Sequence, residues 1–545
     1  MKKQITIAAL LSMAALSYAS QTWHFKIINL TDQKVTISPA GSDNWDFGDL
    51  SSPLSILPVS VSGNKATNAF DSWLGSSSIA GFDIAKNGQK LTHLELIPNG
   101  SDSHFGPGIT KIFNCPQGRI GVSSWGETKN NTEIDKQYTL PINLHCTQQN
   151  HNIKLTVMDQ NSPFQTNAFD LKAITKFADF SWNIFNQNQY HCWYYSYTGL
   201  YKTCKIVAPE HANAWVLNDG KFGLRWQQYP IMEALMDYTN QHNDHQYDVL
   251  ISNFMGNTEM AYDTIGDGND DAGWVALAYL RYDLLHHSNQ YLNVYKKVYD
   301  RLTTSWTKYQ EYCGGGVSWK IDVTPPYINA ITNELYLTLS AGMYLVSHDQ
   351  KYLESALKEW QWFQQSGMIN HAGLINDGLN IIKKGQCQNN GQPTWSYNQG
   401  VVLGGLGYLY QAFKQQDPQK ADSYLQAGVK IVDAVLADHT MNQDGILHEP
   451  NKNLSQNDAL FKGIFGYYLG IFIDQLKSAD NKFYHQKAAD YQDFMINNAK
   501  VMRTSLMHYI YDDAFDLNMP LYWSGNPGEY SPVTYASGVM WLAGV

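Results

Sequence analysis

"NQGVVLGGLGYLY", Asn398 to Tyr410, starts polar and then runs through small and aromatic residues. A helix built this way is apolar around its whole circumference, which places it inside a core. Its glycines let neighbouring helices come close. Five other segments share the recipe: "QYPIMEALMDY", "DDAGWVALAYL", "TNELYLTLSAGMYL", "FKGIFGYYLGIF" and "YASGVMWLAGV". From Asp270 onward the starts at Asn333, Asn398 and Gly463 recur at intervals of about 65 residues. Between them lie charge-rich amphipathic runs such as "KYLESALKEWQWFQQ" and "KADSYLQAGVKIVDAVLAD". Six buried helices alternating with more polar ones predict an all-α (α/α)6 barrel over residues 165–545, with the small-residue helices as its inner ring. A solenoid of helix pairs has the same local periodicity and is the alternative. In a closed ring, the polar inner-helix starts (the Asp270–Asp271 pair, Asn333, Asn398 and Lys462) gather around one cleft.

The first 160 residues read differently. "MKKQITIAALLSMAALSYAS" has two lysines, an apolar run and a small-x-small site at Ser17 to Ala19. This is the pattern of a secretory signal over residues 1–19, cut after Ala19. The expected localisation is therefore secreted or periplasmic. Segments such as "TWHFKIINL", "KVTISPA", "KLTHLELIP" and "IKLTVMD" alternate apolar and polar residues between Gly, Pro, Asn and Ser clusters. They predict an N-terminal all-β sandwich-like domain over 21–160. Trp45, Trp73 and Trp125 are its candidates for a glycan-facing aromatic, with core packing as the alternative.

Composition narrows the function. The chain carries 35 Tyr and 16 Trp against 16% charged residues. Flat aromatic faces in that number suit sugar stacking as well as a large core. A net charge of -11 with no basic stripe argues against nucleic acid and against an anionic membrane surface. No run after the signal is long and apolar enough to span a bilayer. Six cysteines in an exported chain read as disulfides. Cys115 with Cys146 and Cys192 with Cys204 are the local pairings, which leaves Cys313 with Cys387; other connectivities stay open. No C-x-x-C spacing supports zinc.

Asp270 and Asp271 carry the chemical question, because adjacent carboxylates repel. Asp267, Asn269 and Asp271 have the alternate spacing of a calcium loop. The glycine falls at Gly273 and Ala278 stands where the terminal Glu belongs, so that reading breaks at two points. A helix cap needs only one Asp. A catalytic pair uses both. Consecutive helical residues project about 100° apart, so two carboxylates can flank one glycosidic bond at the ~5–5.5 Å that a retaining mechanism requires. The helix N-terminus favours one ionised acid, and the neighbouring charge raises the pKa of the other.

"GNDDAGWVAL" resembles the Asp-Asp motif of glycoside hydrolase family 76, the endo-α-1,6-mannanase family. In the same order follow "CGGGVSW" at Cys313 to Trp319, "ITNELYL", "LINDGL", "TWSYNQGV" at Thr394 to Val401, and "FKGIF" at Phe461. "LRWQQYPIMEALMDY" precedes the pair and is similar to the family's Trp-containing inner helix. The resemblance covers roughly residues 165–545. It implies an (α/α)6 barrel, Asp270 as nucleophile and Asp271 as general acid/base. It also implies that Trp274, Trp319, Asn333, Asp377, Trp395, Tyr397, Asn398, Gln399 and Lys462 line the sugar cleft, and it implies no metal or organic cofactor. Gly273-Trp274-Val275 stands where many members carry paired aromatics.

The expected function is a retaining hydrolase of α-1,6-mannosidic linkages. Its partner is a mannose-containing polysaccharide or oligosaccharide, and the expected state is a monomer. A transglycosylase acting on cell-wall glycans, a glycan-binding protein on an inactive barrel, and an inverting or lyase-type barrel enzyme are the competing functions.

Overall fold

The computed structural model describes residues 20–43, 45–56, 60–62, 65–70, 79–98, 109–115, 118–123, 142–149, 152–159, 174–179, 181–182, 226–243, 245–451, 454–455, 457–511, 523 and 532–545. The chain divides into two compact units, Met1–Thr166 with Met507–Asp516, and Asn167–Leu506 with Leu517–Val545.

The first unit holds twelve described strands: β1 (Ser20–Asn29), β2 (Val35–Asp43), β3 (Trp45–Asp46), β4 (Leu54–Ile56), β5 (Ser60–Val61), β6 (Lys65–Phe70), β7 (Ile79–Lys86), β8 (Gln89–Pro98), β9 (Ile109–Cys115), β10 (Gly118–Ser123), β11 (Ile142–Gln149) and β12 (Asn152–Asp159). They form two six-stranded sheets. One has the order β11-β12-β1-β6-β3, with β5 also paired to β1; the other has the order β4-β2-β7-β8-β10-β9. Strands β1 and β12 run parallel, Phe25 opposite Ile153, whereas the other ladders are antiparallel. The alternation read in "TWHFKIINL" is not what β1 shows. Residues 25–30 are buried without a break, as in a strand covered on both faces. On one side the Phe25 ring lies 6.2 Å from Phe82 of β7. Trp45 sits on β3; Trp73 and Trp125 lie outside the described residues, as do residues 1–19.

The second unit is helical: α1 (Gln228–His242), α2 (Asp248–Gly256), α3 (Thr258–Ile265), α4 (Asn269–His286), α5 (Leu292–Lys308), α6 (Ala330–Ser347), α7 (Gln350–Gln365), α8 (Ser396–Phe413), α9 (Pro418–Ala437), α10 (Phe461–Ser478), α11 (Lys482–Tyr511) and α12 (Pro532–Gly544). Local chemistry sets the ends. Asp349 accepts from the Lys351 N–H (3.1 Å) to open α7, and Asp417 accepts from the Lys420 N–H (3.0 Å) ahead of Pro418 to open α9. His287 and His348 take left-handed backbone at the ends of α4 and α6.

All six small-residue segments are helices, and they form a ring. Helix α4 packs between α1 and α6, α8 between α6 and α10, and α12 between α10 and α1, which closes the circle. The ring is the inner layer of an (α/α)6 barrel, and closure excludes the open solenoid. Its helices are mutually parallel. Gly273 meets Leu335, and further along both helices Gly342 meets Leu280. Val401, Val402, Leu403, Leu406 and Leu409 of α8 have no exposed surface, and burying each such side chain stabilises the fold by about 1.5–3 kcal/mol. Small residues set the spacing: a Cβ on Gly463 of α10 would sit 2.5 Å from the Ser537 carbonyl oxygen of α12. The outer helices are one-sided, α7 burying Tyr352, Leu353, Ala356, Glu359, Trp360 and Phe363. Among the described residues no helix is long and apolar enough to cross a membrane.

A buried polar cluster ties four inner helices together. Arg281 of α4 donates through Nε to both carboxylate oxygens of Asp237 of α1 (2.8 and 3.0 Å), and through Nη1 to the Tyr408 hydroxyl of α8 (3.3 Å). From α10, the Tyr467 hydroxyl donates to Asp237 and Glu233, and the Tyr468 hydroxyl to Glu233. Burial pushes the Glu233 carboxyl up to about 8 against the pull of Arg281.

Candidate active site

Parallel inner helices bring their N-termini to one end of the barrel, and the connections at that end form a short irregular ladder. Gly268 bridges Lys320, Ser318 bridges Ile328, and Asn329 bridges Gly378. The Asn269 N–H donates to the Trp319 carbonyl (2.7 Å), the Trp319 N–H to the Tyr327 carbonyl (2.7 Å), and the Ala330 N–H to the Asp377 carbonyl (2.7 Å). The ladder fixes where α4 begins. Gly268 is its extended N-cap, and Asp270 and Asp271 occupy the first turn, where negative charge is favoured by the helix dipole.

Asp270 is held at both oxygens. Oδ1 accepts from the Asp271 N–H (2.9 Å), and Oδ2 accepts from the Trp319 indole N–H (2.9 Å). Burial raises its pKa, with the Trp319 and Asp271 hydrogen bonds and Lys320 pulling the other way. The leading influence on Asp270 is thus desolvation, not the charge of its neighbour as the bare sequence suggests. The two donors favour the carboxylate and oppose that rise.

Trp319 is 39% exposed, its ring edge-on to Tyr327 at 6.3 Å. The Tyr327 hydroxyl donates to Asp377, and the Asn390 amide donates back to that hydroxyl at 2.9 Å. Burial raises the Asp377 carboxyl, and Tyr327 moderates the rise. Tyr397 stacks on Phe461 at 3.7 Å, and Trp395 meets the same ring at 5.5 Å. Burial and the fields of Asp377 and Asp270 push the Tyr397 phenol well up. Asp270, Trp319, Asp377, Trp395 and Tyr397 are therefore brought to one neighbourhood.

The other expected cleft residues take different places. Trp274 is 2% exposed and stacked on Trp226 at 5.5 Å, inside the core. Asn333 is fully buried. Its Oδ1 accepts from the Val317 N–H (2.6 Å), and its Nδ2 donates to the carbonyls of Val317 (3.0 Å) and Asn329 (2.7 Å). Gln399 likewise holds the Ile375 N–H and carbonyl (2.9 and 2.8 Å) and the Trp395 carbonyl. Each amide is spent on backbone, so these two brace the cleft loops and leave nothing for a sugar. Asn398 is buried with an amide that no described residue engages, and Glu334, buried on α6, has both carboxyl oxygens in the same state. Lys462 lies over the Trp523 ring at 4.1 Å. Burial pulls its ammonium down while the charge of buried Glu449 holds it up. Gly273, just before Trp274, has no room for a side chain: a Cβ there would stand 2.8 Å from that of Leu335.

Three supporting residues escaped the sequence reading. Tyr327 lies in a segment with no recognisable motif. Glu334 follows Asn333 directly and reads as part of the same helix start. Arg301 sits in the middle of an outer helix, where a lone arginine gives no signal. Cys313 and Cys387 form the long-range disulfide, which ties the "CGGGVSW" segment to the hairpin of β13 (Leu379–Lys383) and β14 (Gln386–Asn389). The other two cysteine pairings fall on side chains outside the described residues. Among the described residues no group of three or more His, Cys, Asp or Glu is placed to hold a metal ion.

The model of glycosyl hydrolase family 76 matches residues 172–516. A putative mannan endo-1,6-alpha-mannosidase of Schizosaccharomyces pombe is 25% identical over 216 residues, 37% of this chain and 47% of the relative. Mannan endo-1,6-alpha-mannosidase DFG5 of Saccharomyces cerevisiae is 25% identical over 189 residues, 31% of this chain and 40% of the relative. The chain thus spans about half the length, or less, of these curated relatives. The solved GH76A alpha-1,6-mannanase from Salegentibacter sp. HEL1_6 superposes with a TM-score of 0.52 at 21% identity, over 69% of this chain and 98% of that one. An inactive variant of that enzyme is solved in complex with alpha-1,6-mannotriose.

Proposed function

The chain belongs to glycosyl hydrolase family 76, and on that footing we propose that it is a retaining glycoside hydrolase acting on α-1,6-mannosidic linkages in mannan-type glycans. The observation that carries the reading is the pair of acids on the first turn of α4, with Asp270 gripped by the Trp319 and Asp271 N–H groups. In the first step an Asp270 oxygen attacks the anomeric carbon. The bond to the leaving oxygen breaks, and that oxygen takes the Asp271 proton. In the second step water gives a proton to Asp271 and its oxygen to the anomeric carbon, and the Asp270 carboxylate leaves. Trp319 offers an aromatic face to the sugar beside this centre, and Tyr397, Asp377 and Tyr327 offer hydroxyl-binding groups. The substrate class rests on what the matched relatives are named for. The 1–19 signal points to a secreted or periplasmic protein, and we read that protein as a monomer. We read residues 165–545 as the catalytic barrel, and the two sheets of 21–160 as the layers of a sandwich.

Asp270→Asn and Asp271→Asn are each expected to lose activity on linear α-1,6-mannooligosaccharides by about 10³-fold or more, with unchanged melting. Wild-type turnover in either variant would overturn the assignment. NMR of the first-formed anomer tests retention. The partly exposed Trp319 platform beside Asp270 also suits a sugar acceptor, so transglycosylation is the second reading; products longer than the substrate identify it. Mannan binding without released reducing ends, across a broad pH range, identifies an inactive barrel.

A further inference from the structure

Arg301, on outer helix α5, spends its guanidinium on the segment that leads into the Asp pair. Nη1 donates to the Gly266 carbonyl (2.9 Å), Nη2 to the Gly268 carbonyl (3.1 Å), and Nε to Asn269 Oδ1 (2.7 Å). The Asn269 amide nitrogen in turn donates to the Ser318 carbonyl (2.7 Å), one residue before Trp319. One fork therefore ties both supports of Asp270 together: the turn that sets the start of α4, and the strand that aims the Trp319 indole. A planar five-donor group can hold three acceptors in fixed directions, which an ammonium cannot.

Charge accompanies the geometry. Asp267, Asp270 and Asp271 all act on Arg301, whose own guanidinium burial pulls down. Among the neighbouring lysines, Lys320 also acts on Asp270 and opposes the rise of its pKa. Lys320 lies 3.8 Å from Asp267 on the far strand, Lys297 lies over the Tyr262 ring, and Lys308 pairs with Asp322 at 2.6 Å. The three hydrogen bonds of Arg301 go to Gly266, Gly268 and Asn269, and none goes to a carboxylate of the pair.

We propose that Arg301 is a positioning residue for the reaction: its fork fixes the pitch of Asp270 and Asp271, and its positive charge favours their ionised forms. This rests on the catalytic reading of the pair. Arg301→Gln removes charge and fork together. With the cation gone, both carboxyl groups hold their protons to higher pH. Both limbs of the kcat/KM profile on α-1,6-mannotetraose then move to higher pH by about half a unit or more. A small tilt of the pair lowers kcat about tenfold or more, with KM changed little. Arg301→Lys keeps the charge and loses the fork, so its kcat falls while its limbs stay in place. Limbs in Arg301→Gln that coincide with wild type overturn the proposal whatever kcat does, and so does wild-type kcat in Arg301→Lys. Should Arg301→Gln fail to fold, as shown by its melting curve, Arg301→Lys decides alone. If Asp270→Asn retains turnover, the catalytic reading falls first. If Asp270→Asn is inactive and the limbs of Arg301→Gln do not move, this inference alone falls.

Discussion

Two groups of acids lie on the inner helices of the same barrel, and they are treated in opposite ways. Glu233 and Asp237 are buried among Arg281, Tyr467 and Tyr468, and every contact closes the cluster on itself. Asp270 and Asp271 stand at the N-terminus of α4, and among the described residues Asp270 is held by N–H donors, with no arginine or lysine bonded to its carboxylate. A carboxylate neutralised by a bidentate arginine is a poor nucleophile. One held by neutral donors keeps its charge available and its position fixed. On the proposed mechanism, pairing, not the presence of acids, separates the structural cluster from the reactive one.

The largest effects should therefore divide cleanly. Asp237→Asn leaves the buried Arg281 charge without its partner and is expected to cost about 3–5 kcal/mol of stability. Chemical denaturation measures this. Asp270→Asn is expected to leave the denaturation midpoint in place while abolishing turnover. If Asp237→Asn melts like wild type, the interior cluster does not bind the ring together, and the comparison fails on its structural side.

Trp319→Phe probes the reactive side with a smaller change. The ring face survives and the indole N–H is lost. A hydrogen bond to a charged group is worth about 1.5–3 kcal/mol, so kcat/KM should fall roughly 10- to 100-fold. The donor favours the ionised form of Asp270, so its loss moves the acidic limb of the pH profile upward. Unchanged activity would mean that the indole serves only as a sugar platform.

The ring was legible before the structure because its helices are apolar on every side and small where they meet. Gly463 against Ser537 and Gly273 against Leu335 show what the glycines are for. The individual cleft residues were less legible, for a physical reason. A polar residue in the first turn of a buried helix either faces a ligand or pins the preceding loop, and both roles put the same residue type at the same spacing. Asn333 and Gln399 turn out to pin loops; Tyr397, two residues before Gln399, lies in the fields of Asp377 and Asp270. Arg301 was invisible because its partners are mostly backbone carbonyls, which leave no trace in side-chain patterns. In the N-terminal unit, period-two reading failed on β1, because a strand covered on both faces has no polar side to alternate with.

A further expected effect concerns how the interior cluster tolerates pH. Burial lifts the Glu233 carboxyl from the usual range near 4.5 to about 8. Between those values the folded chain keeps a proton that the unfolded chain has released. The stability linked to that proton is complete below about 4.5 and is lost as pH rises through about 8. Glu233→Gln keeps the shape and an acceptor for the Tyr467 and Tyr468 hydroxyls but has nothing to titrate. Its Tm, measured against wild type from pH 5 to 8.5, should gain ground steadily across the window, by an amount on the order of a few degrees. Every other titrating group is shared by the two proteins and cancels in the difference. A gap that stays constant over the window would mean that Glu233 is ionised in the fold from the outset. Arg281 would then neutralise both acids, and the interior cluster would be a salt bridge with two carboxylates in place of an ion pair beside a neutral acid.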